Sequence, residues 1–246
     1  MKILCIVQAR MGSERMPGKV IRSILGKPMI LHTLDRLDRS KYIDEIVLAT
    51  SVEKRELPLV DVAVNAGYNV FRGDESNVLK RYKDSSDKYS GDIVIRVTGD
   101  CPFVDPVIVD NVITYFKMNN YDYVRLDVPH SFIRGFDVEV FTKQTLDRVY
   151  NSVCCMGQKS GLNDMYREHV TYYIYRHPDE FKVGYVRGSN FYNKKYRLCV
   201  DTVEDFRLIK NIYEHFEDEF ASSRQIVSYL DENPELCRIN SNVKQK

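Results

Sequence analysis

The sequence predicts an α/β protein, a three-layer α/β/α build around a doubly wound, mostly parallel sheet. A short apolar run at 2–7, KILCIV, stops abruptly in the polar, glycine-bearing stretch QARMGSERMPGK, as a strand buried on both faces does on reaching a loop. From there to residue 126, β-rich runs alternate with apolar residues at helical spacing. Gly67 and Gly91 stand where helices have to end, because glycine takes the left-handed terminating conformation at no steric cost.

The elements follow in order. The run at 2–7 is the first, central strand. Met29, Ile30, Thr33, Leu34 and Leu37 mark a helix, and EIVLAT at 45–50 returns as a strand, closing a βαβ unit. A helix over 57–66, a strand over 68–71, a helix over 77–89 and a strand over 93–97 continue the alternation. A helix at 106–117, a strand at 121–126, a β-rich run at 137–141 and a helix from 143 towards 153 come next. Residues 154–164, CCMGQKSGLND, carry turn formers without periodicity and read as a surface loop. Beyond it lie a helix over 168–175, strands at 181–186 and 196–200, helices at 203–215 and 223–230, and a frayed tail, SNVKQK.

With 246 residues, 43% of them hydrophobic and 29% charged, the chain has enough apolar surface for one large domain, 1–246. Lys plus Arg number 36 against 35 Asp plus Glu, so a net charge of +1 offers no long-range field for a nucleic acid and any phosphate-binding charge must be local. None of the six cysteines forms a C-x-x-C pair, and free thiols in a reducing cytosol are the plainest account. The apolar stretch at the start is too short for a signal peptide or membrane span, so a cytoplasmic protein without a membrane anchor is expected.

In doubly wound sheets ligands sit beyond the carboxyl ends of the strands, which directs attention to three loops. The first, residues 8–19, places Arg10, Arg15 and Lys19 among Gly12, Ser13 and Gly18 directly after the first strand; its amides and cations can cradle a triphosphate. It is not a Walker A loop, since five residues separate Gly12 from Gly18 and Val20 stands at the metal-binding hydroxyl position; nor is it G-x-G-x-x-G. An ordinary basic surface loop is the competing reading. The second, Thr98-Gly99-Asp100-Cys101-Pro102, presents a carboxylate at a strand end, suited to magnesium bridging phosphate oxygens, whereas Asp105 before Pro106 is suited to capping the next helix. In the third, Val200-Asp201-Thr202-Val203-Glu204-Asp205, Asp201 is either a second metal ligand or, with Thr202, a helix cap.

Taken in order, IVQARMGSERMPGK, LGKPMI, DEIVLAT, NVFRGDESNVLKRY, VTGDCPFVDP, GFDVEVF, REHVTYYI and VDTVEDF resemble the cytidylyltransferase family that activates acidic sugars, including the acylneuraminate and 3-deoxy-manno-octulosonate enzymes. The nearest subgroup resembles the spore coat polysaccharide biosynthesis protein F type, and the likeness covers nearly the whole chain. It implies a Rossmann-like nucleotide-diphospho-sugar transferase fold, with residues 132–165 as a small β-containing excursion facing the substrate or building a homodimer. It implies Arg10, Arg15 and Lys19 on the triphosphate of CTP, aided by the amides of Gly12 and Ser13. Ala9, Thr50, Arg72 and Gly73 would border the nucleotide, and Arg96 would support the site. Asp100 and Asp201 would hold Mg2+, and Asp137, Glu139 and His169 would face the sugar acceptor. Asp137-Val138-Glu139 reads equally as the polar face of a strand, and His169 as a satisfied helix histidine. The chain departs from the family at Gln8 and Met11, where Pro and Gly are common, which leaves the sugar open.

The expected reaction is transfer of CMP from CTP to a sugar or sugar phosphate with release of pyrophosphate. A nucleotide-sugar-dependent glycosyltransferase is the first rival, weakened by the lack of a D-x-D motif. A catalytically silent nucleotide-binding protein is the second, weakened by the intact set of cations and aspartates.

Overall fold

A computed structural model of the chain describes residues 1–156 and 161–244. An interior strand of the sheet, next to the middle one, is β1 (Ile3–Gln8), whose residues serve both layers. Ile3, Cys5 and Val7 enter one apolar core and Leu4 and Ile6 the other, the period-2 alternation of a strand covered on both faces. The chain leaves β1 through the basic loop into a small hairpin, β2 (Ser23–Ile24) and β3 (Lys27–Pro28), then α1 (Met29–Asp38). β4 (Glu45–Ser51), α2 (Leu57–Asn65), β5 (Asn69–Gly73), α3 (Val78–Tyr89), β6 (Ile93–Thr98) and α4 (Pro106–Met118) complete the doubly wound half.

The strand β7 (Tyr123–Leu126) is followed by β8 (Glu139–Thr142), α5 (Lys143–Cys155), α6 (Gly161–Glu168), α7 (Tyr172–Arg176), β9 (Val183–Val186), α8 (Val203–Phe216) and α9 (Ser223–Glu232). The sheet order is β5-β4-β1-β6-β8-β7-β9. β1 pairs in parallel with both β4 and β6, while β8 is antiparallel to both its neighbours, β6 and β7. Of the expected excursion at 132–165, β8 is thus built into the main sheet, and α5 packs beside α3. Among the described residues no helix is long and apolar enough to cross a membrane.

Three local expectations need correction, and one hairpin carries no sequence signal. Residues 196–200 are not a strand: they form one isolated bridge, Arg134 to Arg197, because this stretch bonds alternately to two separate segments, Leu198 N–H to Arg134 O and Val200 N–H to Asp100 O. The helix expected over 168–175 starts earlier, at Gly161, breaks after Glu168 and resumes at Tyr172. Of the expected loop at 154–164, Cys154 and Cys155 end α5 and residues 161–164 open α6; 157–160 lie outside the described residues. The β2–β3 hairpin went unread because its turn, Leu25-Gly26, has positive φ at both positions (50° and 79°) without the usual Asn-Gly signal.

Candidate active site

The parallel pairing of β1 with β6 brings their carboxyl ends together, with Gln8 opposite Thr98. The Gly99 N–H donates to Gln8 O at 2.8 Å, and a Cβ on Gly99 would meet the Ala9 Cβ at 2.8 Å. Only glycine therefore lets the two loops leave the sheet in contact. Asp100 follows, and its carbonyl accepts the Val200 N–H at 2.8 Å, which draws the distant segment before α8 to the same point. Thr202 caps α8 in a reciprocal capping box with Asp205, so Asp201 is not needed as a cap and turns inward. Asp105 caps α4, as its position before Pro106 predicts, accepting the Val107 N–H at 2.8 Å and also the Ser223 N–H at 2.7 Å.

From the opposite side, Gly18 adopts φ 69° and turns the basic loop so that Lys19 enters the space between the two aspartates. The Lys19 ammonium donates to Asp100 Oδ2 and Asp201 Oδ1, each at 2.9 Å, and to Val200 O at 2.6 Å. Three donors thus find three acceptors. Arg15 Nη2 lies 2.9 Å from Asp201 Oδ2, and Arg197 donates to that oxygen and, through Nε, to Asp205 Oδ1 at 3.0 Å. Burial opposes the charge on Lys19, yet the two carboxylates outweigh it and raise the ammonium pKa. Burial likewise opposes the Asp201 carboxylate, and Lys19, Arg15 and Arg197 overcome it, holding its pKa below the ordinary value.

Around this cluster opens a cleft of about 270 Å³. Of the residues expected to act, it is lined by Ala9, Arg10, Ser13, Arg15, Lys19, Asp100, Asp201 and His169, the last exposed on its wall. The others lie off it, each for a visible reason. Gly12 lies beneath Arg55, whose Nε would be 3.3 Å from an added Cβ. The Thr50 hydroxyl donates to Glu56 at 2.9 Å. Arg72 is spent on the carbonyls of Ser51, Val52 and Glu53, and Gly73 gives room to the Arg81 side chain. Arg96 pairs with Glu139 at 2.7 Å, and Glu139 also accepts the Thr171 hydroxyl at 2.7 Å, so both work in support. Asp137 accepts the Gly135 N–H at 2.7 Å; burial raises its pKa.

Two residues went unread in the sequence. Arg81 lines the cleft although it sits among the buried residues of α3, with Val78, Leu79, Tyr82 and Ser85; an arginine at an inward position of an amphipathic helix was the available signal. Glu56, wholly buried, accepts the Met11 N–H, and no periodicity marks it.

No group of three or more His, Cys, Asp or Glu side chains converges as a complete metal cage among the described residues. Magnesium needs no such cage, since one or two carboxylates with water and phosphate oxygens suffice. Asp100 and Asp201 are hard oxygen donors within reach of one ammonium, so the pair fits that ion.

Known proteins resemble the chain over its length. A model of the family described as cytidylyltransferase matches residues 4–236. The chain is 38% identical over 247 residues to the uncharacterized protein MJ1063 of Methanocaldococcus jannaschii, covering 100% of this chain and 97% of that one. It is 33% identical over 243 residues to the spore coat polysaccharide biosynthesis protein SpsF of Bacillus subtilis, covering 96% of each. The solved structure of a cytidylyltransferase from Leptospira borgpetersenii superposes with a TM-score of 0.88 at 29% identity, covering 100% of this chain and 99% of that one. With a family model matched over residues 4–236 and relatives above 30% identity on a mostly parallel sheet, the chain belongs to the cytidylyltransferase family and is a nucleotidyltransferase.

Proposed function

We propose that the protein transfers CMP from CTP to a sugar or sugar phosphate and releases pyrophosphate, with Mg2+ held by Asp100 and Asp201, in the making of a surface or spore-coat polysaccharide. The observation that carries this reading is the meeting of Asp100 and Asp201 at one point, opposite the arginine-bearing loop after β1. CTP is favoured by the family, and the polysaccharide by the kinship with SpsF.

An acceptor oxygen attacks the α-phosphorus in line, the bond to the bridging oxygen breaks, and pyrophosphate leaves. Little covalent work falls to the side chains, which position the reactants and stabilise charge. Arg10, Arg15 and Lys19 would take the phosphate oxygens; the Ser13 N–H, expected to aid them, instead donates to Met11 O at 3.0 Å. Bound magnesium supplies Lewis-acid neutralisation of the phosphate charge. His169, exposed on the cleft wall, offers its imidazole to the acceptor. Thr171, two residues on, is tied to Glu139 and through it to Arg96, which steadies the segment that carries His169.

The test is a pyrophosphate-release screen of the four nucleoside triphosphates with magnesium against sugars and sugar phosphates. Release with CTP and an acceptor supports the reading. Release of a free nucleoside diphosphate from a nucleotide sugar, with none of pyrophosphate, would replace it with a glycosyltransferase.

A further inference from the structure

The Lys19 ammonium occupies the point at which the two carboxylates meet, and its side chain is only 9% exposed. Among the described residues, Asp100, Asp201 and Asp205 face Lys19, Arg15 and Arg197, three charges against three, so these six groups balance without any added ion. We infer that Lys19 bars free divalent metal from this acidic pair, and that the metal is accepted only together with a nucleotide whose phosphates take Lys19 off the aspartates. The inference rests on the reading of Asp100 and Asp201 as metal ligands.

A hydrated dication arriving alone would have to expel the ammonium from three acceptors at once and leave it beside a double positive charge. It brings no acceptor for the displaced nitrogen. A triphosphate does, and phosphate oxygens make strong charge-assisted bonds to lysine and arginine. Lys19 and Arg15 both belong to the loop that would face the phosphates, so a single ligand can draw both cations off Asp201. Metal and nucleotide then bind with positive coupling, and by linkage each raises the affinity of the other by the same factor. Lys19 is thereby a specificity-determining residue for the metal-nucleotide complex as well as a phosphate ligand.

Equilibrium dialysis against Mn2+ tests this without turnover, on the wild type, Lys19→Met and Asp100→Asn, each with and without a non-reacting CTP analogue. Without nucleotide, the wild type should take up no more Mn2+ than Asp100→Asn, while Lys19→Met should gain one site at least ~10-fold tighter, the size expected when one charged competitor is lost. With the analogue, the wild type should gain the site and Asp100→Asn should not. A site in the nucleotide-free wild type, lost in Asp100→Asn and no weaker than in Lys19→Met, overturns the inference while leaving the ligand assignment in place. Equal uptake by the wild type and Asp100→Asn with the analogue present removes the ligand assignment and the inference with it. Should Lys19→Met fail to fold, the wild type with and without the analogue, read against Asp100→Asn, still decides the outcome.

Discussion

The carboxylate of Glu56 accepts the backbone N–H of Met11 at 2.8 Å, so a residue outside the cleft fixes the start of the loop that carries its cations. The same oxygen takes the Thr50 hydroxyl at 2.9 Å, which locks that loop to the end of β4. Glu56 is wholly buried, and Glu56→Ala would leave two donors unsatisfied. A loss of about 2 kcal/mol in denaturant unfolding is expected, together with weaker nucleotide binding. Glu56→Gln keeps an acceptor in place and should recover most of both. Unchanged nucleotide affinity in Glu56→Ala would mean that the loop holds its shape unaided.

Asp100→Asn and Asp201→Asn should each lower turnover by ~10²–10³-fold, the range for losing one preorganised charge partner. Because both carboxylates meet at one point, the double variant should fall little below the worse single one. Pyrophosphate release at saturating CTP measures this. Full activity in Asp100→Asn would refute its place at the reacting phosphates.

The Asp201 cluster also predicts a pH dependence of stability. Its native pKa lies below the ordinary carboxylate value, so its stabilising contribution is complete above the unfolded-state value and fades as pH falls through the native one. Lys19, with its pKa raised, contributes fully below the ordinary lysine value and loses that contribution only as pH rises through its native one. The stability difference between the wild type and Asp201→Asn should therefore stay flat from about pH 5 to about pH 9 and shrink in stronger acid. Denaturant melts across that range give the profile; a gap that varies near neutrality would contradict it.

Most of the sheet was legible because its strands are apolar runs that end sharply, and a strand buried on both faces leaves little else for such a run to be. The antiparallel placement of β8 between β6 and β7 was not legible, since strand order depends on long-range pairing that no local pattern encodes. Asp100 and the basic loop do stand after strands, β6 and β1, but Asp201 does not: residues 196–200 form no strand, and the segment before α8 reaches the same point because the Val200 N–H donates to Asp100 O. What the sequence hid was how the side chains are spent: Thr50 and Arg72 look like ligands in one dimension and are consumed by Glu56 and by three carbonyls in space. Glu56 shows the opposite case, an acidic residue in a charged stretch, KRE, that is wholly buried because its partners come from β4 and the loop after β1.

Arg81 supplies the last prediction, because it departs from the rule that a buried charge is paired. It is 3% exposed, its Nη1 donates to Asp74 O at 2.7 Å, its Nε has no hydrogen-bond partner, and no carboxylate among the described residues pairs with it. Burial above all, with Arg10 nearby, lowers its pKa, which marks a guanidinium short of counter-charge. Both arginines line the cleft, so a ligand anion is the natural partner. Arg81→Met should weaken CTP binding by ~10-fold or more, the value of one charge-assisted contact, while stability holds or rises because an uncompensated buried charge is gone. A purely structural role, holding the turn at Asp74, demands the reverse: stability lost and nucleotide affinity kept. Calorimetric titration with CTP beside thermal melts of the same samples separates the two, since they move the paired readouts in opposite directions.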